Sequence, residues 1–315
     1  MAPIMRDDVS NGDPRISVVI PAYGQTPHLR PLIESLRAQT VQPHELIIAH
    51  SGEADPTAWL HDPDKGIIVI HADERWLPGA ARNAGAAAAQ GDWLAFVDSD
   101  VIAEPTWLEG FLAAKRRSDH PTVFVGALNH AAGDGYWGRC MWFIESGSVH
   151  PYRASHDMAS APGANLMMAK DIFLRAGGFP TNLLIAEDAQ LSTRARDLGC
   201  RLLFVPEARA AHHYAFDFRH VMQRLFRLGE GAAHIRLLET LPGSLAARVP
   251  PLALGLWLAR LALITKRVIE NRGPLAKLLV HSPGILLGLV SWSWGFFLGA
   301  VSHRADGSKA VRGQV

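Results

Sequence analysis

The sequence predicts an α/β protein with a mostly parallel central sheet, followed by a helical, membrane-associated C-terminal region. Three observations carry this expectation. From Ile16 onward, short β-branched runs alternate with stretches of helical periodicity, the pattern of strand and helix units in a parallel sheet. Two carboxylates, Asp98 and Asp100, close one of the apolar runs. Near Val249 the composition turns apolar and stays so almost to the end.

The elements follow in order. Ile16, Val18, Val19 and Ile20 are β-branched and stopped by Pro21, so residues 16–20 form a buried first strand. Leu29, Leu32, Ile33 and Leu36 recur at helical spacing, with Pro27 near the start of that helix and Pro43 beyond its end. Residues 45–49 and 66–71 give second and third strands, 79–89 an alanine-rich helix, and 93–97 a fourth strand. Residues 122–128 and 202–205 supply later strands. The alanines and Gly85 of the alanine-rich helix allow close packing on the sheet.

Composition narrows the function classes. Of the 315 residues, 48% are apolar and 19% charged, enough apolar matter for a core and somewhat little charge for a purely soluble protein. Lys and Arg total 31 against 30 Asp and Glu, so a net charge of +1 gives no field to recruit nucleic acid. Cys140 and Cys200 lack the close spacing of a zinc site or redox pair, which fits a reducing compartment. Residues 1–15 are polar, with no apolar stretch of the signal-peptide kind, which places the catalytic part in the cytoplasm.

Two apolar stretches close the chain. Residues 250–265 are apolar except Arg260, and residues 283–301 run for 19 positions without a charge. At about 1.5 Å per residue the second spans roughly 28 Å, close to a ~30 Å hydrocarbon core. It carries Gly284 and Gly288, then Gly295 and Gly299, small residues four apart that let helices approach. A two-pass hairpin would put Lys266, Arg267, Arg272 and Lys277 on the outer face, against the positive-inside tendency, and Trp292 and Trp294 sit mid-segment rather than near headgroups. An interfacial arrangement, with basic residues toward anionic lipid, accommodates both features.

Three local signals point to chemistry. Asp98, Ser99 and Asp100 lie at the mouth of the fourth strand, where parallel sheets bind ligands, and their oxygens suit Mg²⁺ or Mn²⁺ on phosphates. The same pair also serves as a turn and helix cap. Gly177, Gly178 and Phe179 precede Glu187 and Asp188, an acidic pair that also matches a helix dipole. His212 and His213 follow the last strand as ligands, surface or core. Trp137, Met141, Trp142 and Phe143 make either a sugar-stacking or lipid-facing wall or ordinary core.

In their joint order these motifs resemble family 2 glycosyltransferases of the GT-A fold, from about residue 16 to about 227. The resemblance rests on the opening strand through Pro21, Ala22 and Tyr23, on Arg82 and Asn83, and on Asp98-Ser99-Asp100. It continues through Gly163 and Asn165, the Gly177-Gly178-Phe179 turn, Glu187-Asp188 and the histidines. It implies inverting transfer of a sugar from a nucleotide diphospho donor to an acceptor hydroxyl. Asp188 matches the general base. Glu187, Asn165, Gly177, Gly178 and Phe179 match the acceptor side. Pro21, Ala22, Tyr23, Arg82, Asn83, Asp98 and Ser99 fall on the donor. Asp98, Asp100 and one of His212 or His213 would hold Mn²⁺ or Mg²⁺.

Two departures stand out. His50 replaces the first acid of the motif that contacts the nucleotide base, while Asp55 still matches the later one, so a uridine donor is not implied. The Gln-x-x-Arg-Trp motif of processive members is absent around Gln223, Arg224 and Arg227, which favours one sugar per encounter. Arg219, Arg224, Arg227 and Arg236 are candidate partners for acceptor phosphates or a solvated helix face.

The resulting expectation is a transferase on the cytoplasmic face of a membrane, acting on a lipid-linked or surface-glycan acceptor of the cell envelope, such as an exopolysaccharide. The expected organisation is a flexible 1–15, a catalytic domain 16–227, an amphipathic linker helix 228–248, apolar helices 249–303 and a polar tail 304–315. A sugar-nucleotide nucleotidylyltransferase lacks its Gly-rich loop here, since Pro21 and Tyr23 stand after the first strand. A silent membrane scaffold of the same fold is the other alternative.

Overall fold

The structure, a computed structural model, describes residues 14–53, 66–183, 187–214, 216–238 and 243–312. Its elements in order are β1 (Ile16–Tyr23), α1 (Leu29–Arg37), β2 (Glu45–Ser51), β3 (Ile67–Ala72), α2 (Pro78–Ala88), β4 (Trp93–Val97) and β5 (Val101–Ala103). Then come α3 (Trp107–Arg116), β6 (Thr122–His130), α4 (Tyr136–Glu145), β7 (Asn165–Ala169), α5 (Lys170–Arg175), α6 (Glu187–Asp197) and β8 (Arg201–His212). The chain ends in α7 (Phe218–Leu238), α8 (Ser244–Arg248), α9 (Leu256–Glu270) and α10 (Leu275–Arg312).

The strands form one eight-stranded sheet in the order β3-β2-β1-β4-β7-β6-β8-β5. β3, β2, β1 and β4 pair in parallel, as do β6 and β8. Strands buried on both faces read as continuous apolar runs, and Val18, Val19, Ile20, Ile47, Ile48, Leu94 and Phe96 are fully buried. Gly85 shows how closely α2 approaches, because a Cβ there would lie 2.4 Å from Val19 Cγ1.

Two strands escape the sequence reading. β7 runs antiparallel between β4 and β6, and β5 runs antiparallel at the edge on β8. β7 consists of Asn165, Leu166, Met167, Met168 and Ala169, none of them β-branched, and β5 has only three residues. β8 is also longer than expected. Its register against β6 shifts beside Pro206, where Gly126 faces Val205 and Ala127 faces Arg209, and pairing then resumes to His212.

These additions position the site. β5 returns along β8 so that Val101 faces His212, which sets the acidic turn after β4 against the end of β8. Antiparallel β7 likewise sets Asn165 opposite Val97.

A second hydrophobic cluster joins α4, α7, α9 and α10 through Met141, Trp142, Phe143, Leu225, Ile285 and Phe296. Met141, Trp142 and Phe143 are therefore core. α10 lies along α7 at backbone contact distance, since a Cβ on Gly229 would lie 2.1 Å from Trp292 O and one on Gly295 2.1 Å from Phe226 O. Pro283 sits inside α10, and the carbonyl it cannot satisfy, Leu279 O, accepts from Ser282 Oγ at 2.8 Å.

The expected domain boundaries shift accordingly. The boundary at 227 falls inside α7, which is continuous from Phe218 to Leu238 and is a packing partner of α10 rather than a linker. The helix α10 runs to Arg312, through most of the expected polar tail. Residues 1–13 lie outside the described residues, while Arg15 pairs with Asp92 at 2.9 Å.

Gly295→Ala should lower the unfolding free energy read from urea denaturation, by about 1–3 kcal/mol for forced overpacking less about 1 kcal/mol of helix propensity gained. Gly255→Ala, where a Cβ meets nothing within 4 Å, is the matched control and should change it little.

Candidate active site

Asp98, Ser99 and Asp100 form the turn between β4 and β5, closed by Val101 N–H donating to Asp98 O at 3.1 Å. Candidate ligand atoms of Asp98, Asp100 and His212 all lie within 4.8 Å of one another, and His212 Nε2 is 3.5 Å from Asp100 Oδ1. Of the two histidines it is His212, the last residue of β8, that joins this group. His213 instead stacks on His28, with ring centroids 3.9 Å apart.

The donor set fits a divalent cation. Two carboxylates with an imidazole suit Mn²⁺ or Mg²⁺, the nitrogen favouring the former. The buried Nδ1 of His212 has no protein partner, so the ring is not consumed by the fold. Burial raises the Asp100 pKa, His212 pulls it back and Asp98 adds to the rise.

Arg82 on α2 joins this turn to α6. Its Nη2 donates to Asp98 Oδ1 at 2.7 Å and its Nη1 to Glu187 Oε1 at 2.8 Å, with 5% of the side chain exposed. Burial opposes its charge, yet the two carboxylates outweigh that and hold the guanidinium ionised. Glu187 is raised by burial and pulled back by Arg82, so its carboxylate is a structural counter-ion.

Asp188 follows at the start of α6. Its Oδ1 accepts from Ala189 N–H at 2.7 Å and its Oδ2 from Gly163 N–H at 3.4 Å. Burial raises its pKa, Arg82 and the two N–H groups oppose, and Asp98 adds to the rise. Asp98 and Asp188, 90 positions apart, thus both lie near the guanidinium of Arg82, which bonds Asp98 directly and Glu187 beside Asp188.

The other expected site residues divide into two groups. At the strand ends Pro21 and Ala22 pair with Ala49 and His50 across the ladder, and Tyr23 is 52% exposed with Arg75 4.5 Å above its ring. His50 is fully buried, its Nε2 on Gly24 O at 2.8 Å and its Nδ1 3.0 Å from His71 Nδ1, so both nitrogens are engaged by protein. Asp55 lies outside the described residues.

The second group is scaffold. Asn83, expected at the donor, exchanges hydrogen bonds with the backbone of Phe179, Nδ2 to O at 2.8 Å and N–H to Oδ1 at 2.9 Å. Asn165, expected at the acceptor, is 1% exposed and spends its amide on Trp107 Nε1, Ala127 O and Ala208 O. Phe179 is buried against Phe96 and Phe173. Gly177 and Gly178 take φ of +76° and +67°, the left-handed turn that aims this segment toward α2. The sequence reading passed over His28, His71 and Arg75, which lie in no motif and meet the site only through the fold.

With this geometry in hand, the family model for glycosyl transferase family 2 matches residues 17–174, half of the chain. The chain belongs to that family. This family 2 glycosyltransferase is 30% identical over 286 residues to the pre-mycofactocin glycosyltransferase of Mycobacterium tuberculosis, covering 82% of this chain and 56% of that protein. It is 24% identical over 225 residues to the O-antigen biosynthesis protein RfbC of Myxococcus xanthus, covering 64% of this chain and 17% of that one. The chain thus spans little more than half, or less, of the length of these relatives. Among solved structures, a mannosyltransferase of Pyrobaculum calidifontis in complex with GDP-Man and Mn²⁺ has a TM-score of 0.54 at 19% identity, covering 92% of this chain and 87% of that one. That likeness shows the GT-A fold.

Arg82→Met should destabilise the family 2 domain by about 3–5 kcal/mol at pH 8, because two buried carboxylates lose their counter-charge. Burial raises Glu187, so its charge costs stability as pH rises through its native pKa, and removing Arg82 enlarges that cost. The deficit in urea unfolding should therefore shrink as pH falls toward 5.

Proposed function

We propose that the chain moves one sugar from a nucleotide diphospho-sugar to a hydroxyl of a lipid-linked or surface-glycan acceptor, with inversion, at the cytoplasmic face of a membrane. The carrying observation is the double ion pair of Arg82, which ties the acidic turn of Asp98 to Glu187 at the start of α6, next to Asp188. Asp98, Asp100 and His212 would hold Mn²⁺ or Mg²⁺, which when bound offsets the charge that builds on a departing diphosphate.

The rest is done by side chains of this chain. Asp188 accepts the proton of the acceptor hydroxyl on a carboxylate oxygen, and its raised pKa makes it a stronger base than an exposed aspartate. Glu187 orients α6 through Arg82. Tyr23, exposed beside the ends of β1 and β2, offers a ring for the donor base. His50 cannot take the direct acceptor role of the acid it replaces while both its nitrogens are engaged. On α7 no tryptophan follows Gln223, and Arg224 is tied to Glu145 at 2.8 Å, which supports a single addition.

Membrane attachment is supported by α9 and α10. Residues 275–302 of α10 are long and apolar enough to cross a bilayer, but half of the most apolar part is buried in the protein. One face rests on α7, while Leu279, Val280, Leu287 and Trp294 are exposed, which favours an interfacial helix. The nucleotidylyltransferase alternative falls with the family membership, and the grouping of Asp98, Asp100 and His212 supports an enzyme over a silent scaffold.

Asp188→Asn should keep the donor-induced thermal shift in Mn²⁺ yet lose about 10²- to 10⁴-fold in transfer, the range of a general base. Asp100→Asn should lose the Mn²⁺-dependent part of that shift. Undiminished transfer by Asp188→Asn, or a product extended by several sugars, would overturn the reading. For the wild type, the acid limb of the rate profile should lie above the ~3.9 of an ordinary aspartate, activity falling as pH drops through the raised native pKa of Asp188.

A further inference from the structure

The carboxyl ends of β1, β2 and β3 are laced together beside Tyr23, and parallel sheets bind ligands at such ends. Gly24 N–H donates to Ser51 O at 2.9 Å, and Gly52 N–H donates to Ala72 O at 2.9 Å. Trp76 N–H, from the turn after β3, donates to Ser51 Oγ at 3.0 Å. The Tyr23 ring leans across the end of β2, since a Cβ on Gly52 would lie 3.8 Å from its Cε2, and Arg75 sits 4.5 Å from the same ring. His71 directly precedes Ala72, the residue that joins β3 to Gly52.

Two histidines on adjacent strands meet at this edge. His50 and His71 are register partners in the β2–β3 ladder, with stacked rings and Nδ1 atoms 3.0 Å apart. His50 is fully buried, and its Nε2 lies 2.8 Å from Gly24 O. A carbonyl oxygen only accepts, so that nitrogen carries a proton and donates.

For a pair of neutral rings every proton position is then forced. His50 Nδ1 is a lone pair, so His71 Nδ1 must donate across the 3.0 Å gap, and His71 Nε2 is left as an acceptor. The His71 side chain is 24% exposed, whereas His50 has no free edge. Among the described residues the charged group facing His71 Nε2 is Asp73, 3.4 Å away and 90% exposed. That separation exceeds the ~2.7–2.9 Å of a charge-assisted bond, so the contact does not close the acceptor.

We infer that His71 Nε2 accepts a ring N–H of the donor base, so that the site takes uracil or guanine over cytosine or adenine. Uracil and guanine carry a proton on a ring nitrogen where cytosine and adenine have a lone pair. An acceptor facing a lone pair loses a hydrogen bond and gains a repulsion, and a site built around one hydrogen bond rejects ligands that lack it. His50 is then a positioning residue, which touches no ligand and fixes the nitrogen of His71 that accepts. With His50 closed off, the acceptor stands one strand further out, on β3 in place of β2. The assignment rests on the nucleotide-donor reading of the site and names the class of base.

The test is a thermal-shift titration of the full chain with nucleoside diphosphates at pH 8 and saturating Mn²⁺, since a bound ligand raises apparent stability in proportion to its affinity. UDP or GDP should bind at least about tenfold more tightly than its own ring-N-methylated form, and more tightly than ADP or CDP. His71→Phe, which keeps a planar ring without an acceptor, should bind the parent nucleotide about as weakly as the methylated one. A merely structural role for His71 would weaken both forms alike and leave the methyl discrimination in place. Equal binding of parent and methylated nucleotides by the wild type overturns the proposal. So does a preference for ADP or CDP, or a folded His71→Phe variant that still discriminates. The wild-type methyl comparison decides the matter if His71→Phe does not fold. Nucleotide binding without methyl discrimination defeats this assignment alone, while a chain that no nucleoside diphosphate stabilises in Mn²⁺ defeats the donor reading with it.

Discussion

A guanidinium with 5% of its side chain exposed stays charged inside a protein only if anions surround it, and Arg82 has two. Burying such a charge alone costs several kcal/mol, and removing one partner from a buried pair costs about as much. The three groups are therefore mutually required. Arg82 needs Asp98 and Glu187 to be ionised, and those carboxylates need Arg82 to be buried so near each other. Because they come from α2, the turn after β4 and the start of α6, their mutual need fixes the relative positions of three elements far apart in sequence. The placement of Asp98 relative to the start of α6, where Asp188 lies, is thus set by an ion triad. Gly163 fits the same logic, since a Cβ there would lie 3.0 Å from Arg82 Cζ.

The sheet supplies what the triad cannot. A purely parallel sheet would bring strand ends to one edge but offer no reason for His212 to meet Asp100. The short return of β5 along β8 does this, pairing Val101 with His212 so that the preceding carboxylate and the imidazole become neighbours. His213 N–H donating to Asp100 O at 2.8 Å locks the same junction from the backbone. The His28 stack on His213 then links that junction to the start of α1.

Much of this was legible in the sequence, and the illegible part has physical causes. β1 to β4 announce themselves because strands buried on both faces must be apolar, and Asp98-Ser99-Asp100 stands out because nothing apolar requires it there. β7 stayed hidden since Leu166, Met167 and Met168 have no strand preference, and their conformation comes from pairing with β4 and β6. Hidden too was the end of β8, because Pro206 reads as a stop when it marks a register shift. Without the true end of β8, strand alternation could not separate His212 from His213. Asn83 and Asn165 illustrate another limit of pattern. An amide that holds the Phe179 turn or crosslinks Trp107 to two carbonyls is as fixed in a motif as one that touches a sugar.

The C-terminal helices answer two demands that a single amphipathic pattern cannot. Glycines on α10 and α7 bring the backbones together, and that face of α10 needs no lipid because Phe226 O and Trp292 O lie where side chains would otherwise be. The opposite face remains apolar and exposed, with Leu279, Val280 and Leu287 in solvent. Were α10 a free spanning helix, close packing on α7 along its length would be unnecessary, and Trp292 would not be buried beneath Arg260. Helix packing of this kind joins the exposed apolar surface of α10 to α7 and, through the second hydrophobic cluster, to the sheet domain. Through Ser146, Tyr214 and His212 the helical cluster is then tied to the acidic turn after β4.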